Sequence, residues 1–152
     1  MKLSILITLL NEELVLAQTH KAISEKLESM ILSEELSDYE ILYVDDGSSD
    51  STLKLIDAIA DENPRVKYIS FSRNFGRESG ILAGFKYATG DAVMVMDGDL
   101  QHPPYLIPLF VEAYKEGYDI VSGQRSREGE SFVEASLLVV SINSRTIPWM
   151  SS

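Results

Sequence analysis

The sequence predicts an α/β protein whose mainly parallel sheet is covered by helices on both faces. Short apolar runs alternate with stretches of helical periodicity, and each spacer is long enough for a crossover helix rather than a hairpin. Three acidic clusters, "NEE", "DDGSSD" and "DGDLQ", each follow directly on an apolar run. In a parallel sheet such clusters fall on one edge, beyond the carboxyl ends of the strands, where folds of this class bind ligands.

Residues 3–9 (LSILITL) read as a buried first strand. The opening "MKLSILITLLNEE" has the lysine and apolar run of a secretory leader, but no small-residue cleavage site, and it passes straight into acidic sequence. Residues 12–32 carry Leu14, Ala17, Ala22, Ile23, Leu27, Met30 and Ile31 at helical spacing. "YEILYV" is the second strand, ending at Asp45, and "DGSSDST" supplies turn and cap residues for a helix over about 52–62, stopped near Pro64. "VKYISF" is the third strand, and residues 77–88 form a third helix closed by Gly90. "AVMVMD" is the fourth strand. Pro103 and Pro104 suit the first turn of a fourth helix, ended by Gly117, and "DIVSG" is a fifth strand. Residues 132–152 do not continue the alternation and lack clear caps.

At 152 residues the chain has the length of one domain, with 45% hydrophobic and 24% charged residues, as in ordinary globular proteins. A net charge of −11 argues against nucleic-acid binding, which selects basic surfaces. Locally basic positions remain: Arg65, Lys67, Arg73, Arg77 and Lys86 in the middle, and Arg125 and Arg127 further on. The chain has no cysteine, which excludes disulfides and thiolate chemistry and fits a reducing compartment. No run approaches the roughly 18 apolar residues of a membrane helix, and "SLLVVSI" near the end is far shorter.

Four constellations carry chemistry. Asp97 and Asp99 alternate at the end of a strand, and Gly98 between them lets the backbone pass close to a ligand. With the amide oxygen of Gln101 they form a set of hard oxygen donors suited to Mg²⁺ or Mn²⁺ on a diphosphate. A bare Asp-x-Asp can equally be a turn cap beside a solvated strand end; the Gln-His-Pro-Pro that follows favours the ligand set. Asp45 and Asp46 end a strand beside Gly47, where a carboxylate can accept hydrogen bonds from a base N–H or ribose hydroxyls. A helix cap explains Ser48, Ser49 and Asp50 but not two adjacent acids. Arg73 and Arg77 flank Asn74 and Gly76 before a helix, a place for phosphate or simply a solvated loop. Arg125 and Arg127 after the fifth strand are a weak signal alone. His20 reads as a surface or boundary residue, and His102, although next to the carboxylates, is flanked by proline.

The motifs "NEE", "VDDGSSDST", "RNFGRESGILAGFKYATGD", "MDGDLQHPP" and "YDIVSGQR", in this order over residues 3 to about 131, resemble family 2 glycosyltransferases of the Rossmann-like GT-A fold. The branch they resemble contains dolichyl-phosphate mannose synthase and the bacterial polyprenyl-phosphate (bactoprenol) glucosyltransferases. The resemblance implies a nucleotide-sugar donor, a UDP-sugar such as UDP-glucose ahead of GDP-mannose, a polyprenyl phosphate acceptor, and Mg²⁺ or Mn²⁺. It implies Asp97, Asp99 and Gln101 as metal and diphosphate ligands, and Glu12, Asp46 and Asp45 as nucleoside contacts. Arg125 would stand near the transferred sugar or lipid phosphate, and Arg77 would join it in drawing two anionic partners together. It places the protein in the cytoplasm, at the membrane face in a longer form.

Two departures stand out. The family's Pro-x-Tyr-Asn-Glu is Leu-Leu-Asn-Glu after Thr8 here, without the proline and tyrosine. After about Ser131 the likeness fades, so the expected organisation is a nucleotide-sugar-binding domain over 1–131 and an atypical tail over 132–152, as from truncation or a frameshift. A sheet lacking its last strand would offer an edge for a homo-oligomer. The alternative is a donor-binding chain without turnover. A phosphotransferase of the haloacid-dehalogenase kind would need threonine or valine where Gln101 stands, and no Gly-x-Gly-x-x-Gly or Gly-x-x-x-x-Gly-Lys loop is present.

Overall fold

The computed structural model describes residues 1–99, 103–122 and 138–141. Its elements in chain order are β1 (Lys2–Leu9), α1 (Leu16–Leu32), β2 (Asp38–Asp45), α2 (Thr52–Glu62), β3 (Val66–Ser70), α3 (Arg77–Tyr87), β4 (Ala92–Asp97), α4 (Leu106–Lys115), β5 (Ile120–Ser122) and β6 (Leu138–Ser141). They build one sheet of order β3-β2-β1-β4-β6-β5. The β3-β2, β2-β1 and β1-β4 pairs are parallel, as the alternation predicts.

Both faces of the sheet are covered, which is why β1, β2 and β4 read as nearly continuous apolar runs. Alternate side chains Leu3, Ile5, Ile7 and Leu9 pack under α1, α2 and α4, through residues such as Ile23, Ile56 and Ile107. Leu6, Leu42, Val44, Val93 and Val95 form a second cluster with Phe85 of α3 on the other face. α3 sits close to β1 because its inward positions are Gly80 and Gly84. A Cβ on Gly84 would stand 2.2 Å from Leu6 Cδ1, and one on Gly80 2.9 Å from Thr8 Cγ2.

The first helix starts later than its sequence pattern suggests. Residues 12–15 form a turn, in which the Glu12 carbonyl accepts the Val15 and Leu16 amides. Leu14 and Ala17 are therefore exposed, and the buried stripe is Leu16, Thr19, Ile23, Leu27 and Met30. His20 is not simply a surface residue: its Nδ1 lies 2.9 Å from the hydroxyl of buried Tyr43 and its Nε2 3.2 Å from Ser24 Oγ. Burial lowers its pKa.

The largest change from the sequence reading lies late in the chain. Leu138–Ser141, inside the stretch expected as an atypical tail, is a strand inserted antiparallel between β4 and β5. Its run LVVS is short and β-branched, and sequence alone gives no helix before it to mark a crossover.

At the amino ends of the strands, opposite the acidic clusters, lies a buried carboxylate. Glu40 accepts from Ser4 Oγ at 2.6 Å, the Thr89 amide at 2.6 Å, Thr89 Oγ1 at 2.9 Å and Lys67 Nζ at 3.2 Å. Burial alone would raise its pKa, but the hydrogen bonds from Ser4, Thr89 and Lys67 outweigh burial and hold it below 4.5. A carboxyl depressed in the fold adds stability at neutral pH that is lost as pH falls below that ordinary value toward the folded pKa. Glu40→Ala is expected to lose about 2–4 kcal/mol at neutral pH. In denaturant melts the difference from the parent should shrink as pH is lowered through 4.5.

Candidate functional site

In an open parallel sheet the ligand crevice forms where strand order reverses. Here that point is between β1 and β4: the chain winds outward through β2 and β3, then crosses back to place β4 on the other side of β1. Thr8 is in register with Asp97, and Leu9 with Asp45, so the carboxyl ends of the strands are level. A cleft of about 360 Å³ opens there, and Glu12, Asp46, Arg77, Asp97 and Asp99 all line it.

The loop after β2 organises its neighbours. Asp46 is 4% exposed, and its carboxylate accepts the Phe75 amide at 2.7 Å and the Gly76 amide at 3.1 Å. It thereby fixes the loop that leads into α3 and its first residue, Arg77. Gly47 (φ +76°) lets the two loops touch, since a Cβ there would lie 2.4 Å from the Arg73 carbonyl carbon. Asn11 ties the loop after β1 to the same structure. Its side-chain oxygen accepts the Ser49 and Asp50 amides at 2.8 and 3.3 Å, and its own amide donates to Ser48 Oγ at 2.9 Å. The Glu12 amide donates to Thr52 Oγ1 at 2.9 Å.

Across the cleft, β4 delivers Asp97 and, after Gly98, Asp99. Gly98 packs against Leu9, whose Cδ2 would be 2.2 Å from an added Cβ. Its carbonyl accepts from the buried Thr19 hydroxyl at 3.2 Å, which anchors the turn to α1. Arg77 donates to Asp97 Oδ1 through both Nε (3.1 Å) and Nη2 (2.8 Å). Facing them, Glu12 has a raised pKa, from burial first and then from the charges of Asp99 and Asp50. Asp99→Asn should therefore lower the Glu12 pKa toward its ordinary value, which carboxyl NMR titration can follow; an unmoved pKa would contradict the juxtaposition.

The structure thus gathers Glu12, Asp46, Arg77, Asp97 and Asp99 around one cleft. Asp45 does not line it. It is 1% exposed, takes the Ser48 amide at 3.4 Å through Oδ2, and its Oδ1 has no hydrogen-bond partner among the described residues. Gln101, His102, Arg125 and Arg127 lie outside the described residues. The sequence reading missed two positioning residues. Asn11 was noticed only as part of "NEE"; its turn-forming residue type at a strand end was the available signal. For Thr19 the available signal is a hydroxyl in the apolar stripe of α1.

Asp97 and Asp99 have the donor chemistry for a divalent ion, and the cleft has the charge for one: four carboxylates face one guanidinium among its described lining residues. No three Asp, Glu, His or Cys side chains converge as a ready-made metal cage among the described residues. An ion on this pair would complete its shell with oxygens of its ligand and water, the usual habit of Mg²⁺.

The model of the family described as Glycosyl transferase family 2 matches residues 4–146. The Bacillus subtilis (strain 168) protein CsbB, which bears a provisional glycosyltransferase name, is 47% identical over 135 residues, covering 89% of this chain and 40% of CsbB. The bactoprenol glucosyl transferase of Shigella phage SfX is 40% identical over 128 residues, 83% of this chain and 40% of that protein. The chain thus spans about two fifths of the length of these relatives. Among solved structures, the mannosyltransferase PcManGT of Pyrobaculum calidifontis, in complex with GDP-Man and Mn²⁺, superposes with a TM-score of 0.67 at 14% identity, over 91% of this chain and 44% of that one. S. aureus TarS 1-349 in complex with UDP-GlcNAc gives a TM-score of 0.53 at 20% identity, over 87% and 37%. Both likenesses are of fold, and the fold is GT-A.

Proposed function

Because the chain belongs to glycosyl transferase family 2, we propose that it carries the donor half of an enzyme that moves a sugar, glucose from UDP-glucose, onto a polyprenyl phosphate. The observation that carries this reading is the cleft at the switch point, which draws Glu12, Asp46, Arg77, Asp97 and Asp99 together from four separated segments. The bactoprenol glucosyl transferase named above supports the lipid acceptor, and work at the cytoplasmic face of a membrane follows from it. No helix among the described residues is long and apolar enough to cross a membrane.

In this reading the donor diphosphate lies against the end of β4. Asp97, Asp99 and Gln101 hold Mg²⁺ or Mn²⁺, which, when bound, neutralises the diphosphate and stabilises it as a leaving group. Glu12 reaches the nucleoside, while Asp45, buried and off the cleft lining, accepts the Ser48 amide in the turn after β2. Asp46 keeps the loop before Arg77 in place rather than meeting the donor itself, since its carboxylate already serves two amides. An acceptor phosphate is ionised near neutral pH, so its oxygen attacks the anomeric carbon without a general base. The bond from that carbon to the β-phosphate breaks as the new one forms. What the protein supplies is orientation and charge, with Arg77 and Arg125 bringing two anions together.

The second reading is a donor-binding chain without turnover. Incubation with UDP-[¹⁴C]glucose, Mn²⁺ and undecaprenyl phosphate, followed by solvent extraction, separates the two. Label in the lipid fraction supports the enzyme; donor binding with no labelled lipid supports the second.

A further inference from the structure

Arg77 is the cleft's own cation among the described lining residues, and it is committed to Asp97. Both contacts, from Nε at 3.1 Å and Nη2 at 2.8 Å, fall on a single oxygen, Oδ1. Asp97 is also one of the three proposed metal ligands. A divalent ion arriving alone competes with the guanidinium for the charge of that carboxylate. The guanidinium would then share the cleft's carboxylates with the ion's positive charge, and the ion alone brings no anion to offset it. If the ion arrives with a diphosphate, the guanidinium has an anionic partner within the same cleft.

The mechanical conditions for such an exchange are present. The base of Arg77 is fixed, because it begins α3 directly after the loop that Asp46 holds by its Phe75 and Gly76 amides. Its side chain is 44% exposed, which leaves the long stem room to pivot. Resting on the proposed donor site, we infer that Arg77 makes metal binding conditional on diphosphate: it occupies Asp97 in the free cleft and passes to the diphosphate when the ion takes its place. By linkage, a group that obstructs the ion more in the absence of diphosphate than in its presence makes each ligand tighten the other.

The test is Mn²⁺ affinity, read by the electron paramagnetic resonance signal of free Mn²⁺, with and without UDP. The chains compared are the parent, Arg77→Gln, Arg73→Gln and Asp99→Asn. Arg73 is an exposed cation at the same loop, stacked on Phe75 and paired with no carboxylate among the described residues, and so reports the effect of lost charge alone. Removing Arg77 should tighten Mn²⁺ alone about two- to fivefold, the range for a solvent-exposed ion pair, and shrink the enhancement UDP gives. Arg73→Gln should do neither to the same degree. Salt should narrow the gap between parent and Arg77→Gln. A merely structural role for Arg77 would weaken Mn²⁺ binding instead. Equal or weaker Mn²⁺ binding in Arg77→Gln, or the same gain in Arg73→Gln, overturns the exchange. If Asp99→Asn has meanwhile lost Mn²⁺, the donor site stands without it. Absence of Mn²⁺ binding to the parent even with UDP overturns both.

Discussion

Asp46→Ala should lower stability by about 2–4 kcal/mol and weaken nucleotide binding at the same time. The carboxylate is buried and accepts two backbone amides from a loop 29 and 30 residues away. Alanine would remove the acceptor of the Phe75 amide and leave the Gly76 amide only Asn74 Oδ1 at 2.9 Å, and bonds to an ionised acceptor are about twice as strong as neutral ones. Asp46→Asn is the sharper variant. It keeps the shape and one acceptor oxygen but turns an NH₂ toward the second amide, so roughly half or more of the loss should remain. Denaturant midpoints at constant m-value measure the change. Because the same loop leads into Arg77, the fall in stability should be matched by weaker binding of a diphosphate. Full stability in both variants would mean that these amides find other partners.

The second large effect is at Gly47. Its φ of +76° is strained for any other residue, and the atoms that an added Cβ would meet are backbone: Arg73 carbonyl carbon at 2.4 Å and Asn74 nitrogen at 2.6 Å. Backbone cannot rotate aside as a side-chain tip can, so Gly47→Ala must push the two loops apart. The expected cost is about 2–4 kcal/mol, strain and overpacking together. Gly76 is the internal control. Its φ is +96°, yet nothing lies within 4 Å of its added Cβ. Gly76→Ala should therefore lose only the conformational part, about 1–2 kcal/mol. Equal losses at the two positions would show that loop contact is not what Gly47 provides.

These two sites show what sequence alone could and could not convey. The parallel core was readable because burial on both faces leaves a plain record: "SILITL", "EILYV" and "AVMVM" are apolar except at Ser4, Thr8 and Glu40, and each run leads to an acid or a turn. That regularity also puts Glu12, Asp46, Asp97 and Asp99 on one edge of the sheet. What was not readable depends on loops meeting across the edge. No local pattern announces that Asp46 would hold the amides of Phe75 and Gly76, or that Arg77 would reach Asp97, 20 residues on. The start of α1 was misplaced because Leu14 fits the helical spacing, while Asn11 binds the neighbouring loop and delays the helix to Leu16. Leu138–Ser141 was missed for a different reason. An antiparallel strand needs no crossover helix ahead of it, so the alternation that exposed the other strands gave no cue.

The central claim is that the cleft at the ends of β1 and β4 is a nucleotide-sugar site that works with a divalent ion. Titration calorimetry of the chain with UDP, GDP, UDP-glucose and GDP-mannose, with and without Mn²⁺, tests it most directly, with Asp99→Ala as control. Binding of a uridine ligand that requires Mn²⁺ and disappears in Asp99→Ala is the result predicted. A folded chain that binds none of the four ligands, with or without the ion, would contradict it.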